Sequence, residues 1–154
     1  MIRRASTEDS ESLTRIAHDA KRYWGYPEHW IKHWQADLTL SPEYVSANQV
    51  FLAENQGQVV GFYALVINED KAELDHLWVS PEHIGTGVGK ELFIHAMQRA
   101  AGESLTEVEI LSDPNAAGFY QKMGAYQVGE TVSKIDGQPR VLPRLTVDPT
   151  KLEH

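Results

Sequence analysis

The residues best placed to do chemistry in this sequence surround a glycine-rich turn. In Val79-Ser80-Pro81-Glu82-His83-Ile84-Gly85-Thr86-Gly87-Val88-Gly89-Lys90, three glycines at alternate positions lead from a strand pattern into a helix pattern. Backbone N–H groups at a helix start, with no side chains in the way, form a cradle for an anion such as a pyrophosphate. Spacing excludes two common phosphate motifs. The P-loop needs a glycine five residues before its final Gly-Lys pair and a Ser or Thr after it, and Ile84 and Glu91 hold those places. The dinucleotide fingerprint Gly-x-Gly-x-x-Gly, counted from Gly85, puts its last glycine on Lys90. Just upstream, Glu73 and Asp75 are two apart on a strand pattern and project to one face. His76 projects to the other and can accept a proton near neutral pH. Glu109, on a later strand, is a further candidate proton acceptor. There is no cysteine, which removes thiol nucleophiles, disulfides and cysteine-held metals. His29 and His33 have a helical chelating spacing, but no third ligand accompanies them, and no metal is expected.

These residues need a scaffold, and the hydrophobic periods supply one. Residues 2–5 read as a short strand, and Ser6 as the cap of a helix whose apolar repeat is Leu13, Ile16, Ala17 and Ala20. That helix stops near Trp24-Gly25. Pro27 opens a second, with Trp30, Ile31, Trp34 and Leu38 as its stripe, and Ser41-Pro42 opens a third that runs to about Asn48. Period-two patterns at 50–53, 59–67 and 72–79 predict strands joined by turns at Gln56-Gly57 and Glu69-Asp70-Lys71. A helix follows over 87–101, then a strand over 108–111. Next comes a helix capped by Asp113-Pro114-Asn115 and stopped at Met123-Gly124. A closing hairpin pairs 126–135 with 140–147 around Asp136-Gly137. The order predicts one mixed α/β domain over residues 1–151, with Leu152-Glu153-His154 as the remnant of a cloned tag.

Composition narrows the partners. At 154 residues, 42% hydrophobic and 23% charged, the chain reads as one globular domain. Its net charge of −8 argues against broad nucleic-acid binding, which needs a surplus of Lys and Arg, and favours cationic small substrates. No apolar run is long enough to span a membrane. Met1-Ile2-Arg3-Arg4 runs into polar residues without the core of a signal peptide, so the protein is expected in the cytoplasm.

The glycine turn resembles the pyrophosphate motif of the GNAT superfamily of acyl-CoA-dependent N-acyltransferases, Val-x-Pro-x-x-Arg/Gln-Gly-x-Gly-Val/Ile-Gly. Val79, Pro81, Gly85, Gly87, Val88, Gly89 and Leu92 match it, and Ile84 stands where Arg or Gln is usual. Asn115-Ala116-Ala117-Gly118-Phe119-Tyr120-Gln121-Lys122-Met123-Gly124-Ala125 resembles the family's next block. The resemblance implies a mixed, mostly antiparallel sheet of about seven strands with helices on both faces, and a wedge between splayed fourth and fifth strands. It implies acetyl-CoA as cofactor, no metal, and direct attack by an amine in a ternary complex, on a monomer or homodimer.

By the same resemblance, the backbone of Leu77, Trp78 and Val79 pairs with the pantetheine arm, and residues Ile84, Gly85, Thr86, Gly87, Val88, Gly89 and Lys90 take the pyrophosphate. Asn115, Phe119, Tyr120 and Lys122 complete the cofactor set. Tyr120 protonates the departing thiolate, and Glu73 or Asp75 serves as base unless water does. Trp24 and Tyr26, which flank Gly25, border the acceptor with His76 and Glu109. The expected acceptor is a small primary amine. The alternatives are a degenerate acyl-CoA sensor and an enzyme acting on protein lysines or N-termini.

Overall fold

The computed structural model describes residues 1–152. In chain order it contains β1 (Ile2–Arg4), α1 (Ser10–Tyr23), α2 (Glu28–His33), α3 (Pro42–Ala47), β2 (Gln49–Asn55), β3 (Gln58–Asn68) and β4 (Lys71–Val79). There follow α4 (Val88–Gly102), β5 (Val108–Leu111), α5 (Ala117–Lys122), β6 (Tyr126–Ile135) and β7 (Gln138–Val147), with short 3₁₀ turns at Thr7–Asp9, Pro81–His83 and Pro149–Lys151. The strands form a seven-stranded sheet in the order β1-β2-β3-β4-β5-β7-β6. The α/β class and the strand count match the expectation. No described helix is long and apolar enough to cross a membrane.

The chain divides into two compact units, Met1–Leu65 with His76–Phe93, and Val66–Asp75 with the chain from Ile94 onward. In the first, β1, β2 and β3 pair antiparallel. Leu13, Ile16 and Ala17 of α1, Ile31 of α2 and Val45 of α3 share a core with Val50, Leu52, Phe62 and Ala64, so α1–α3 cover the face those strand residues present. The opposite face carries Gly61. A Cβ there would meet the Trp78 carbonyl at 2.9 Å, and Leu92 and Val88 at 3.0 and 3.2 Å. Only glycine lets the start of α4 lie this close to the strand.

In the second unit β5 pairs antiparallel with β7, and β7 with β6. The parallel β4–β5 pairing is confined to Ala72↔Val108 and Glu73↔Glu109, although each strand runs on beyond it. Ala72, Leu74, Val108, Ile110, Leu145 and Val147 are buried along these strands, and Ala96, Met97 and Ala100 along α4.

Three local expectations need correction. Ser6 caps the 3₁₀ turn Thr7–Asp9 rather than α1, whose N-cap is Asp9. The stripe Trp30-Ile31-Trp34-Leu38 is not one helix. α2 ends at His33 with Trp34 as its C-cap, and the chain goes on in turns held by backbone bonds, Leu38 N–H to the Trp34 carbonyl at 3.0 Å and Thr39 N–H to the Ala36 carbonyl at 3.3 Å, with the Thr39 hydroxyl donating to the Gln35 carbonyl at 2.7 Å. Nor does Asp113-Pro114-Asn115 cap α5, whose N-cap is Ala116 with no side-chain bond. The Asp113 carboxylate instead accepts the Asn115 backbone N–H at 2.9 Å, making an Asx turn ahead of the helix. Gly124 stops α5 as expected, at φ +107°. A Cβ there would strike Leu152 at 2.6 Å. Leu152, the first residue of the expected tag remnant, thus lies against this turn. Glu153 and His154 fall outside the described residues.

Candidate active site

In the first unit, β4 hands the chain to the glycine turn. The Ser80 N–H donates to the Val60 carbonyl at 2.8 Å and the His83 N–H to the Ser80 carbonyl at 2.8 Å, which fixes the start of the turn. The Ile84 N–H goes to the Pro81 carbonyl at 3.4 Å and the Thr86 N–H to the His83 carbonyl at 3.3 Å. Ile84 exposes its side chain. Anion capacity therefore falls to Gly85, Gly87 and the first turn of α4, Val88-Gly89-Lys90, where a helix has N–H groups without intrahelical partners and a positive dipole end. Gly85 and Gly87 hold φ of +83° and +92°, and nothing stands within 4 Å of where a Cβ would project at either. An open cradle of this kind fits a pyrophosphate. Beside it, His83 Nδ1 is buried without a hydrogen-bond partner among the described residues.

The second half of β4 brings several expected residues together. The Trp78 Nε1–H donates to His76 Nδ1 at 3.0 Å, and the Trp78 ring meets Trp24 at 5.7 Å. Trp24 and Tyr26 turn their rings toward a residue that sequence reasoning missed. The Lys21 ammonium lies 4.2 Å from the ring centre of Trp34, 5.1 Å from Tyr26, 5.7 Å from Trp24 and 5.9 Å from Trp78. The lysine is 9% exposed, and four rings stabilise its desolvated charge by cation–π attraction. A signal existed, because Lys21 continues the apolar stripe of α1 four residues after Ala17. Tyr44 also went unnoticed. Its ring stands edge-on to His76 at 5.9 Å.

The second unit holds the carboxylates. Glu73 and Glu109 face each other in register on β4 and β5. With Glu107, Arg144, Thr146 and Val128 they line a cavity of about 260 Å³. Desolvation in this wall, then the charges of Asp75 and Glu109, raise the Glu73 carboxyl above the ordinary glutamate value. Lys71 Nζ stands 3.9 Å from Glu107 and 4.0 Å from Glu109. Asp75 contributes through its charge on Glu73 and does not line the cavity.

On α5, Tyr120 is buried, and Phe119 meets it at 5.4 Å. Burial, with the Asp113 charge, pushes the Tyr120 hydroxyl above the ordinary tyrosine value, so it keeps its proton at neutral pH. Asn115 is exposed, and its Nδ2 donates to Asp113 at 3.0 Å. Arg140 of β7 reaches the other Asp113 oxygen at 3.4 Å, with the Arg140 and Asp113 side chains 12% and 8% exposed. Sequence reasoning missed both Asp113 as an anchor and Arg140, since only the fold brings β7 to this loop. Lys122 is exposed.

Residues 11–125 match the family model described as "Acetyltransferase (GNAT) family". The chain is 30% identical over 145 residues to a spermidine N(1)-acetyltransferase of Thermoplasma acidophilum, covering 84% of this chain and 89% of that protein. It is 24% identical over 135 residues to the 5-NmdU N-acetyltransferase of Pseudomonas phage PaMx11, covering 86% and 91%. The fold superimposes with a TM-score of 0.77, at 22% identity, on a crystal structure of the PaiA N-acetyltransferase from Thermoplasma acidophilum in complex with coenzyme A, covering 96% of this chain and 98% of that one. With the family's glycine turn and α/β fold both present, this chain belongs to the GNAT family of acetyltransferases.

Proposed function

We propose that the enzyme transfers an acetyl group from acetyl-CoA to a primary amine of a small cationic molecule. The observation that carries this reading is the cavity walled by Glu73, Glu107 and Glu109. Three carboxylates and one cation, Arg144, line about 260 Å³, and even with Lys71 beside Glu107 and Glu109 the negative charge is in excess, which favours an alkylammonium over an anionic acceptor. The relative that acts on spermidine, by its name, supports the same class.

Acetyl-CoA, when bound, supplies the acetyl group activated as a thioester. In this reading the open N–H groups of Gly85, Gly87 and the α4 start hold its pyrophosphate, with Ile84, Thr86 and Lys90 flanking. The backbone of Leu77, Trp78 and Val79 aligns its pantetheine arm. Asn115, Phe119 and Lys122 are the contacts assigned to α5 and the loop before it. Asn115 is anchored to Asp113 through its Nδ2 at 3.0 Å, which holds its side chain in place beside α5.

An aliphatic amine has a pKa near ~10.4 and arrives protonated. Glu73, with its raised carboxyl, is a stronger proton acceptor than an ordinary glutamate and is assigned as base, with Asp75 and Glu109 tuning it by charge. Tyr120, protonated at neutral pH, is the acid assigned to the departing thiolate. Trp24 and Tyr26 are assigned to the acceptor side.

The test is a panel of acceptors with acetyl-CoA, following free CoA thiol. Diamines and polyamines should release thiol faster than neutral amino sugars or lysine peptides. Thiol release with peptides alone would refute the small-amine reading.

A further inference from the structure

β6 is the last strand of the sheet, beyond β7, so one of its edges meets no described strand. An open edge offers N–H and C=O groups to another strand. The prolines of β7 show which residues offer them. Glu130 stands opposite Pro143 and Lys134 opposite Pro139. A pair that exchanges both backbone hydrogen bonds needs two N–H groups, and proline has none. These are therefore non-bonded pairs of the ladder, and Val132↔Val141, midway between them, is a third. The turn agrees. Ile135 and Gln138 close the two-residue loop Asp136-Gly137 as a bonded pair, and Lys134 lies one step before it. Glu130, Val132 and Lys134 thus turn their backbone N–H and C=O groups to the open edge.

The same three side chains share one face of the strand and are exposed. Val132 is 60% exposed and its cross-strand neighbour Val141 47%, an apolar pair left in solvent beside the edge. Charge then selects what fits there. If β6 pairs antiparallel with β6 of a second copy, each register has one residue on the two-fold axis. An axis at Glu130 or at Lys134 sets that residue against itself. At Ser133 it sets Glu130 against Asp136, and at Thr131 it sets Glu130 against Val132 and Lys134 against Val128. At Val132 it sets Glu130 against Lys134 twice, Val132 against Val132, and Thr131 against Ser133 on the other face. Opposite-charge pairs stabilise a cross-strand contact and like charges oppose it. Only the last register pairs both charges, and it also joins the residues whose backbone groups point outward.

We propose that β6 is the interface of a homodimer, in which two copies of the chain pair antiparallel about a two-fold axis at Val132 and join their sheets edge to edge. The surface is independent of the reaction proposed above.

Analytical ultracentrifugation over a range of concentrations tests it. The parent should sediment with about twice the mass of one chain. Val132→Pro removes an N–H that faces the open edge and leaves the β6–β7 ladder intact. It should melt as a folded protein and sediment as a monomer. Glu130→Lys and Lys134→Glu each turn two symmetry-related pairs from attractive to repulsive, so each should weaken the dimer by roughly tenfold or more. Mixed in equal amounts, the two variants should associate with nearly the parent's Kd, because every facing position in the mixed pair again joins opposite charges. These exposed substitutions leave the fold alone and decide the register even if Val132→Pro does not fold. A parent that is monomeric throughout, a folded Val132→Pro that stays dimeric, or a mixture that binds no tighter than its components would overturn the proposal.

Discussion

Gly87→Val separates the cofactor cradle from the fold. Gly87 holds φ at +92° with open space where a Cβ would point, so the substitution meets backbone strain and no clash. A β-branched residue in that region costs about 1–3 kcal/mol. For a chain of this size each kcal/mol moves Tm by about 2–4 °C, so the free variant should melt about 2–12 °C below the parent. The ligand effect is separate. At ~100 times its Kd, acetyl-CoA stabilises the parent by about 2.7 kcal/mol, a rise of roughly 5–11 °C. In Gly87→Val the isopropyl group fills the open cradle and this rise should vanish. The control is Gly57→Val, in the β2–β3 turn, where φ is +79° and the Cβ site is equally open. It should lose comparable Tm and keep the full acetyl-CoA rise. Scanning fluorimetry of the three proteins with and without acetyl-CoA reads both quantities. A full ligand shift in Gly87→Val, or a lost one in Gly57→Val, would refute the assignment of the turn.

Tyr120→Phe removes one hydroxyl and keeps the ring, so turnover should fall by roughly 10²-fold or more while acetyl-CoA affinity stays near the parent's, and unchanged steady-state turnover would return Tyr120 to a packing role. Glu73 has a raised carboxyl, so the folded state holds that proton more tightly than the unfolded chain. Its contribution favours the fold below the unfolded pKa and is lost as pH rises through the folded value. Glu73→Gln should therefore raise Tm at neutral pH and leave it nearly unchanged in acid, a sign that thermal melts across pH check directly. Trp24→Ala opens one wall of the Lys21 box and should raise the acceptor KM several-fold without altering the acetyl-CoA melting shift. A large Tm loss with the acceptor KM unmoved would make Trp24 a packing residue alone.

The fold was legible where local chemistry and tertiary structure agree. Gly85 and Gly87 announce the turn because glycine adopts their positive φ without strain, and Gln56-Gly57 and Asp136-Gly137 announce two-residue hairpin turns, with positive φ at all four residues. Sequence failed where a side chain's partner is distant along the chain. Asp113 looks like a helix cap, yet its carboxylate serves an Asx turn and Arg140. Lys21 falls on the apolar stripe of α1, but the rings that close over it, Trp24, Tyr26, Trp34 and Trp78, come from outside the helix and no local pattern brings all four together. The acidic cavity was half legible. Glu73 and Glu109 were both singled out, but their side-by-side placement depends on a parallel register of two residue pairs, which no local pattern encodes.

The proposed chemistry is tested most directly by competition. The enzyme is given acetyl-CoA and an equimolar mixture of a polyamine, a neutral amino sugar and a lysine peptide, and the acetylated products are quantified by mass spectrometry. The acidic cavity around Glu73, Glu107 and Glu109 predicts that most of the acetyl label appears on the polyamine, and that Glu73→Gln reduces that share. Label confined to the peptide, or no acetylated amine at all, would contradict it.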